Sequence, residues 1–347
     1  MVKSSYELLR DAKTFLVNLE EEIGKAKSSI DLQFFTFEAD DIGKSVANAL
    51  FKAQKRGIKV RFIIDHYIDI SHNTYWVRKP RFNRKLRRSI LSEWNDTKNL
   101  IAEMRKSGIE IMRTNPLGFF LRKILFRDHK KIIVIDSGLP SKAVAYIGGI
   151  NLCEHNASWN DFMVKMMGDM IPIIENDFNM TWGEENKEGL AVEYSDGIVL
   201  TDSRKSTRIM PYLKSLINTA HKYILIESPY LYGKGIKQSL IDAAERGVDV
   251  SLIVPLHNNK KFFAPSGKFL KQLIKSKVHV YQFEKNDGMT HAKAMLIDDE
   301  AVFGSSNFNE FLSGKACEIN IVTKNKDLVK QLREKLDSDM QDSLKQS

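Results

Sequence analysis

Apolar and polar positions along the chain fall into a repeated order of rhythms. From residue 27 to 65, "KSSIDLQFFTFEADDIGKSVANALFKAQKRGIKVRFIID" gives a short apolar run, a turn, apolar residues at helical spacing, "RG", and a β-branched run. That order predicts strand, turn, amphipathic helix and strand, a βαβ unit. Residues 221–255, "HKYILIESPYLYGKGIKQSLIDAAERGVDVSLIVP", repeat it. Gly57 and Gly247 each follow the last helical arginine, where a left-handed C-cap ends a helix. Helices are also predicted ahead of both units, over 6–28 (from Leu8, Leu9, Phe15, Leu16, Leu19 and Ile23) and over 206–221. The fold class that follows is α/β, with two homologous halves, each a mixed, largely buried sheet flanked by helices. The polar, glycine-containing stretch 183–197, "GEENKEGLAVEYSDG", reads as the crossover, dividing the chain into residues 1–186 and 187–347.

The repeat extends to residues that carry chemistry. "RDHKKIIVID" (127–136) places His129, Lys131 and Asp136 in the pattern HxKxxxxD, and "MTHAKAMLIDDEAVFGSSN" (289–307) repeats it with His291, Lys293 and Asp298. At this composition one chance occurrence is roughly a one-in-twenty event, so two in register within repeats make a far stronger signal than a lone motif. Each motif runs into a buried strand, followed by a second apolar strand that ends in glycine and then Asn151 or Asn307. The paired strands are expected to present His, Lys and Asn side by side.

Composition narrows the chemistry. The 347 residues are 43% hydrophobic, enough for a substantial core, and 53 Lys+Arg against 44 Asp+Glu give a net charge of +9. Such a charge suits an anionic partner: nucleic acid, phospholipid headgroups or a phosphorylated metabolite. Two cysteines, Cys153 and Cys317, show neither a disulfide framework nor metal-ligand spacing. Charges interrupt the apolar positions of the N-terminal stretch every few residues, and no window reaches the roughly 20 apolar residues of a membrane helix. The expectation is a cytoplasmic protein, at most peripheral on a membrane, without signal peptide or transmembrane helix.

If the halves pack about a pseudo-twofold axis, two imidazoles flank one site at their interface, with two lysines and two asparagines around it. A phosphodiester suits such a site. Lys and Asn donate hydrogen bonds to non-bridging oxygens of a five-coordinate transition state. One imidazole attacks phosphorus while the other protonates the leaving alcohol, then deprotonates the incoming water or alcohol. The reading requires neither metal nor cofactor.

These motifs, in this spacing and order, resemble the phospholipase D superfamily over nearly the whole chain. The flanks are most similar to bacterial-type cardiolipin synthases, through "RDHKKIIVID", "YIGGINL" with "WNDFMVKMMG", and "HAKAMLID" with "GSSNFNEFLSGKACEINIV". The resemblance implies that an acid after each strand pair orients a catalytic imidazole, placing Asp161 and Glu318 in those roles, with the proton on Nδ1 and Nε2 left free. It also implies His129 as nucleophile, His291 as general acid and then base, and Asp136 and Asp298 as structural. The chain departs from the pattern in two places. Eleven residues separate Asp136 from Gly148 against five between Asp298 and Gly304, predicting a longer surface turn, and Gly149 stands opposite Ser305, one hydroxyl fewer near the phosphate. The membrane helices usual at the N-terminus of that branch do not occur in this sequence.

Two stretches bear on substrate. "VRKPRFNRKLRRS" (77–89) holds seven Lys or Arg and reads either as a solvated face or as a patch for anionic headgroups or a nucleic-acid backbone. "NPLGFFLRKILF" (115–126) reads either as a core helix or as an element dipping into a bilayer, with Phe119 and Phe120 inserted and Arg122 and Lys123 at headgroup level. The implied function is a phosphatidyltransferase or phosphodiesterase acting on phospholipids at an anionic membrane surface, cardiolipin synthase foremost. The alternatives are a phospholipase, a nuclease of the same superfamily with nucleic acid as partner, and a non-catalytic lipid-binding scaffold.

Overall fold

The computed structural model describes residues 4–67, 84–116, 126–184, 188–258 and 265–346, with the backbone alone for 84–90 and 286. The first half comprises β1 (Ser5–Leu9), α1 (Ala12–Lys25), β2 (Ser29–Phe34), α2 (Asp41–Lys55), β3 (Lys59–Asp65), α3 (Arg84–Lys106), β4 (Glu110–Thr114), β5 (Arg127–Asp128), β6 (Ile132–Ile135), β7 (Val144–Gly148), β8 (Met163–Met167) and α4 (Ile171–Trp182). The second comprises β9 (Ala191–Tyr194), β10 (Gly197–Asp202), α5 (Ile209–Thr219), β11 (Tyr223–Glu227), α6 (Lys234–Glu245), β12 (Asp249–Pro255), α7 (Gly267–Lys275), β13 (His279–Phe283), β14 (Ala294–Ile297), β15 (Glu300–Gly304), β16 (Ala316–Thr323), α8 (Lys326–Gln341) and β17 (Ser343–Gln346).

The first sheet has the order β1-β8-β7-β6-β2-β3-β4 and the second β17-β13-β12-β11-β14-β15-β16-β10-β9. Without β9 and β17 the second is the first over again: β10-β16-β15-β14-β11-β12-β13. In both, the βαβ strands pair in parallel (β2 with β3, β11 with β12), and the motif strands β6 and β14 add antiparallel beside them. Both helix stops are as expected. Gly57 and Gly247 have φ of +84° and +90°, and the next N–H reaches back to close the last turn, Ile58 to Ala53 at 3.2 Å and Val248 to Ala243 at 3.1 Å. The N-terminal stretch differs from expectation. Residues 5–9 form an edge strand on β8, burying Tyr6 and Leu8 on one face, so the helix starts only at Ala12, capped by Asp11. Period-2 and period-3.6 apolar patterns overlap there, and pairing with β8 decides for the strand.

Three cores hold five layers. One lies between the first sheet and α1–α3 and a second between the other sheet and α5–α7. The third fills the space between the two sheets, where Ile132, Val134 and Ile147 of one half meet Ala294, Leu296 and Phe303 of the other. Here α4 touches β6, β7 and β10, while α8 touches β1 and β13–β15, so each helix is clamped by strands of both halves. This shared core fixes the two motif strands relative to each other.

Asp136 and Asp298 occupy equivalent turns with φ of 54° and 46°. The Asp136 carboxylate accepts the N–H groups of Lys27, Ser28 and Ser29, and Asp298 those of His221, Lys222 and Tyr223. These bonds hold both carboxyls below their ordinary range against the opposing effect of burial. Each tacks down the start of β2 or β11. Five strand residues at about 3.3 Å each put Asp136 about 16 Å from Lys131. The inserted turn 137–142 is mostly exposed. Phe119, Phe120, Arg122 and Lys123 lie outside the described residues, as do the side chains of the basic strip. Among the described residues no helix is long and apolar enough to cross a membrane.

Candidate active site

The two motifs meet where the halves exchange backbone hydrogen bonds. β5, just before His129, pairs in parallel with Ala316 and Cys317 of β16, while Asn160 bridges in parallel to Thr290. The His129 N–H donates to the Cys317 carbonyl at 2.9 Å, and the His291 N–H to the Asn160 carbonyl at 2.7 Å. Cys317 immediately precedes Glu318, and Asn160 immediately precedes Asp161. Each motif histidine is therefore docked, by the same bond, beside the acid of the opposite half.

The side chains follow that crossing. His129 Nδ1 lies 2.9 Å from Glu318 Oε1, and His291 Nδ1 lies 2.7 Å from Asp161 Oδ2. A carboxylate at Nδ1 accepts a hydrogen bond from the ring N–H there, which places the lone pair of the neutral imidazole on Nε2. Phe35 packs edge-on against His129 with ring centroids 4.7 Å apart, and Trp159 flanks His291 at 5.2 Å. Lys131 Nζ donates to the His129 carbonyl at 2.6 Å, and Lys293 makes the same bond to the His291 carbonyl. Lys293 Nζ also lies 2.9 Å from Nδ1 and 3.2 Å from Nε2 of His291.

Burial and mutual repulsion strip protons from the bases. The His291 pKa falls to about 3, through desolvation first and then the Lys293 charge, with Asp161 pulling the other way. Lys131 falls to about 7 and Lys293 to about 8, both chiefly by burial. Among the acids, burial lifts Glu318 to about 7, whereas Asp161 stays below its ordinary value because Lys293 and His291 outweigh its desolvation. Of the two acids, Asp161 is thus the more readily ionised. Such a cluster is under-protonated for its number of basic groups. An arriving phosphoryl anion reverses that penalty, because it offers the lysines a counter-charge where water had none.

Asn151 and Asn307 end the strand pairs beside the two motif strands. Both are buried, and each has an amide oxygen without a protein partner. An amide not anchored at that end can turn its NH2 toward a ligand. All eight residues read as catalytic from the sequence therefore lie along the two motif strands and their neighbours, four of them, His129 with Glu318 and His291 with Asp161, in direct contact across the halves. The hydroxyl of Ser305 points elsewhere than expected: it donates to Glu318 and supports that carboxylate. At Gly149, a Cβ would stand 2.2 Å from Asp161 Oδ1, so glycine there makes room for the shorter acid, whose Oδ1 takes the Phe162 N–H instead.

A layer of buried polar groups under the motifs escaped the sequence reading. Lys130, on the opposite face from His129 and Lys131, enters the shared core and meets both oxygens of Asp177 on α4 at 2.7 Å. Gln33 donates to Asp128 at 2.7 Å; at the equivalent place Glu227 bonds Thr290 and Asn160, with Lys335 of α8 at 3.2 Å. Burial raises the Glu227 carboxyl to about 8. A polar residue closing an apolar strand ("IDLQ", "YILIE") is the signal that could have marked Gln33 and Glu227. Beyond this layer, Glu38, Cys153 and His155 bring potential ligand atoms within 4.8 Å of one another. His155 spends Nδ1 on Glu38 at 3.0 Å and turns Nε2 toward the Cys153 sulfur at 4.0 Å, an acid–imidazole–thiol relay in which no single ring nitrogen faces both partners.

The geometry can be set beside known proteins. The family described as cardiolipin synthase, PLD-like domain, matches residues 19–182 and 213–340. The probable cardiolipin synthase YwiE of Bacillus subtilis (strain 168) is 26% identical over 371 aligned residues, covering 99% of this chain and 68% of that protein. The cardiolipin synthase of Alkalihalophilus pseudofirmus is 26% identical over 332, covering 88% of this chain and 60% of that protein. The chain thus spans about two thirds or less of these relatives' length. Among solved structures, the phosphatidylserine synthase of Haemophilus influenzae superposes with a TM-score of 0.69 at 14% identity, over 98% of this chain and 87% of that one. The polyphosphate kinase of Porphyromonas gingivalis gives 0.62 at 16%, over 96% and 46%. At those identities the two structures speak for the fold, and the fold, the paired motifs and the family match agree: the chain belongs to the phospholipase D superfamily, in the family of cardiolipin synthase PLD-like domains.

Proposed function

We propose that this chain is a phosphatidyltransferase that joins two phosphatidylglycerol molecules into cardiolipin and releases glycerol, with residues 1–186 and 187–347 as the two halves of one active site. The observation that carries the reading is the crossed pair of imidazole–carboxylate contacts, His129 with Glu318 and His291 with Asp161, beside two buried lysines. In the first step His129 Nε2 forms a bond to phosphorus as the bond to the glycerol oxygen breaks, and His291 gives that oxygen its proton. In the second, His291 takes the proton of the acceptor's hydroxyl, the new P–O bond forms and the P–N bond breaks, restoring both imidazoles.

The asymmetry of the acids supports this division of labour. His291 must carry a positive charge transiently, and the acid at its Nδ1 is the more readily ionised of the two. Lys131, Lys293 and the amides of Asn151 and Asn307 hold the non-bridging oxygens, supplying fixed donors where negative charge gathers. Substrate binding brings protons with it, since the phosphoryl group raises the depressed pKa values of both lysines and of His291. The names of the relatives at 26% identity support lipid as substrate.

The test is incubation with phosphatidylglycerol, with phosphatidylcholine and with single-stranded DNA, followed by mass spectrometry of the products. Cardiolipin and free glycerol in a one-to-one ratio are expected, both lost in His129→Ala and His291→Ala. Phosphatidic acid without cardiolipin would replace transfer by hydrolysis, and DNA fragments with untouched lipid would overturn the lipid reading.

A further inference from the structure

Two loops of the second half form a rim beside His291, and their most exposed side chains are aromatic. The first, 228–233, carries Tyr230, whose ring lies edge-on 6.2 Å from that of His291, and then Tyr232, 45% exposed. The second follows Asn307 and carries Phe311, 39% exposed. The loops are tied together: Tyr232 and Asn309 bridge in parallel, the Tyr232 N–H donates to the Phe308 carbonyl at 3.1 Å, and the Glu310 N–H returns to the Tyr232 carbonyl at 2.9 Å. The Asn309 side chain fixes the Phe311 backbone N–H at 3.0 Å. Both rings are therefore held, partly exposed, on a braced support beside His291.

Lysines stand beside both rings. Lys315 Nζ sits 3.2 Å from the centre of the Phe311 ring, and Lys234 stands exposed at the start of α6, one residue after the loop. The one acid of the rim, Glu310, turns inward: its carboxylate accepts the N–H groups of Gly235 and Ile236 at 2.9 and 3.1 Å and meets Lys214 at 3.2 Å. Among the described residues the rim thus combines two partly exposed aromatic rings with the ammonium groups of Lys234 and Lys315. Aromatic rings partition to the boundary between acyl chains and headgroups, and lysines there gain from anionic lipid. A nucleic-acid strand would fit the lysines, but one ring is already covered on a face by Lys315 and is not open for a base to stack on.

We propose that Tyr232 and Phe311, with Lys234 and Lys315, form the surface by which this enzyme docks on an anionic bilayer. The site is thereby brought to the headgroup plane, so that a lipid phosphate needs to rise only the depth of the rim to reach His291. The inference rests on the lipid reading given above.

The test places an environment-sensitive fluorophore at position 311 through Phe311→Cys, the native Cys153 and Cys317 being buried, and at the exposed Val17 of α1 as control. With vesicles of phosphatidylcholine and phosphatidylglycerol, the label at 311 is expected to shift to the blue and to be quenched by lipids brominated on their acyl chains, while the label at 17 stays aqueous. Tyr232→Ser with Phe311→Ser is expected to lower vesicle turnover about tenfold relative to turnover of a soluble phosphodiester. A label at 311 that remains aqueous while the protein sediments with vesicles would overturn the rim. An unchanged ratio of the two activities in the double variant would do the same. A wild-type enzyme that cleaves the soluble diester but neither binds nor turns over any vesicle would overturn the lipid reading itself, with the rim.

Discussion

Asp161→Asn removes one negative charge while keeping the size of the side chain. In the native site the carboxylate lies 2.7 Å from His291 Nδ1, and it is the neighbour that raises the His291 pKa against burial, Lys293 and Lys131. An amide cannot balance an imidazolium, and its NH2 competes for Nδ1, so both the charge and the tautomer are lost. A hydrogen bond involving a charged group contributes roughly 1.5–3 kcal/mol. At about 1.4 kcal/mol per decade, the chemical step should slow at least about ten- to a hundredfold. The sign of the pH effect follows as well. With Asp161 gone the His291 pKa falls further, so the limb of the pH–rate profile that reports its protonated form moves to lower pH. The assay is single-turnover cleavage of a soluble phosphodiester across pH, in a double-mutant cycle. The loss from Asp161→Asn should largely vanish in a His291→Ala background and persist in a His129→Ala background at whatever residual rate each retains. Coupling to His129 instead, or a folded Asp161→Asn enzyme with native rate and profile, would refute the crossed assignment.

Three further outcomes follow from the same geometry. With a substrate bearing a good leaving group, His291→Ala should accumulate a phosphoryl adduct on His129, read by tryptic mass spectrometry; an adduct on His291 in the native enzyme would reverse the roles. Lys131 and Lys293 have folded pKa values of about 7 and about 8 against 10.5, so below that range the fold bears the cost of two buried charges that the unfolded chain does not. Stability should therefore rise as pH increases from about 7 toward 10, and Lys131→Met with Lys293→Met should flatten the rise in thermal unfolding scans. Lys130→Met leaves the Asp177 carboxylate alone in the core and should cost about 3–5 kcal/mol in denaturant unfolding, most of it restored by adding Asp177→Leu; a silent Lys130→Met would show the pair to be unimportant.

The sequence carried the fold because the two halves report on each other. A βαβ pattern read once is ambiguous, but "RG" at the same place in both, followed by a β-branched run, pinned Gly57 and Gly247 and the parallel pairs they precede. The motif histidines, lysines and asparagines were legible for the same reason. Asp161 and Glu318 came with the family resemblance, since an acid ten or eleven residues past an asparagine has no pattern of its own. What was not legible is which acid serves which histidine. The crossing is set by backbone bonds between segments far apart in the chain, Cys317 to His129 and Asn160 to His291, and short bridges of this kind leave no periodicity. Lys130 with Asp177 was hidden similarly: a lysine amid basic residues reads as solvent-facing until a second sheet is laid over it.

The exchange of acids has a consequence for how such a protein can be assembled. Either half alone would carry a histidine whose carboxylate is missing and a carboxylate with no histidine to hold, so a nascent or severed half exposes no competent nucleophile. Two copies of a single half, joined about a true twofold, would satisfy both contacts at once, because the bond each half offers is the one it requires. Co-expressed halves should accordingly recover chemistry only on association, with rates that climb with the concentration of the scarcer fragment.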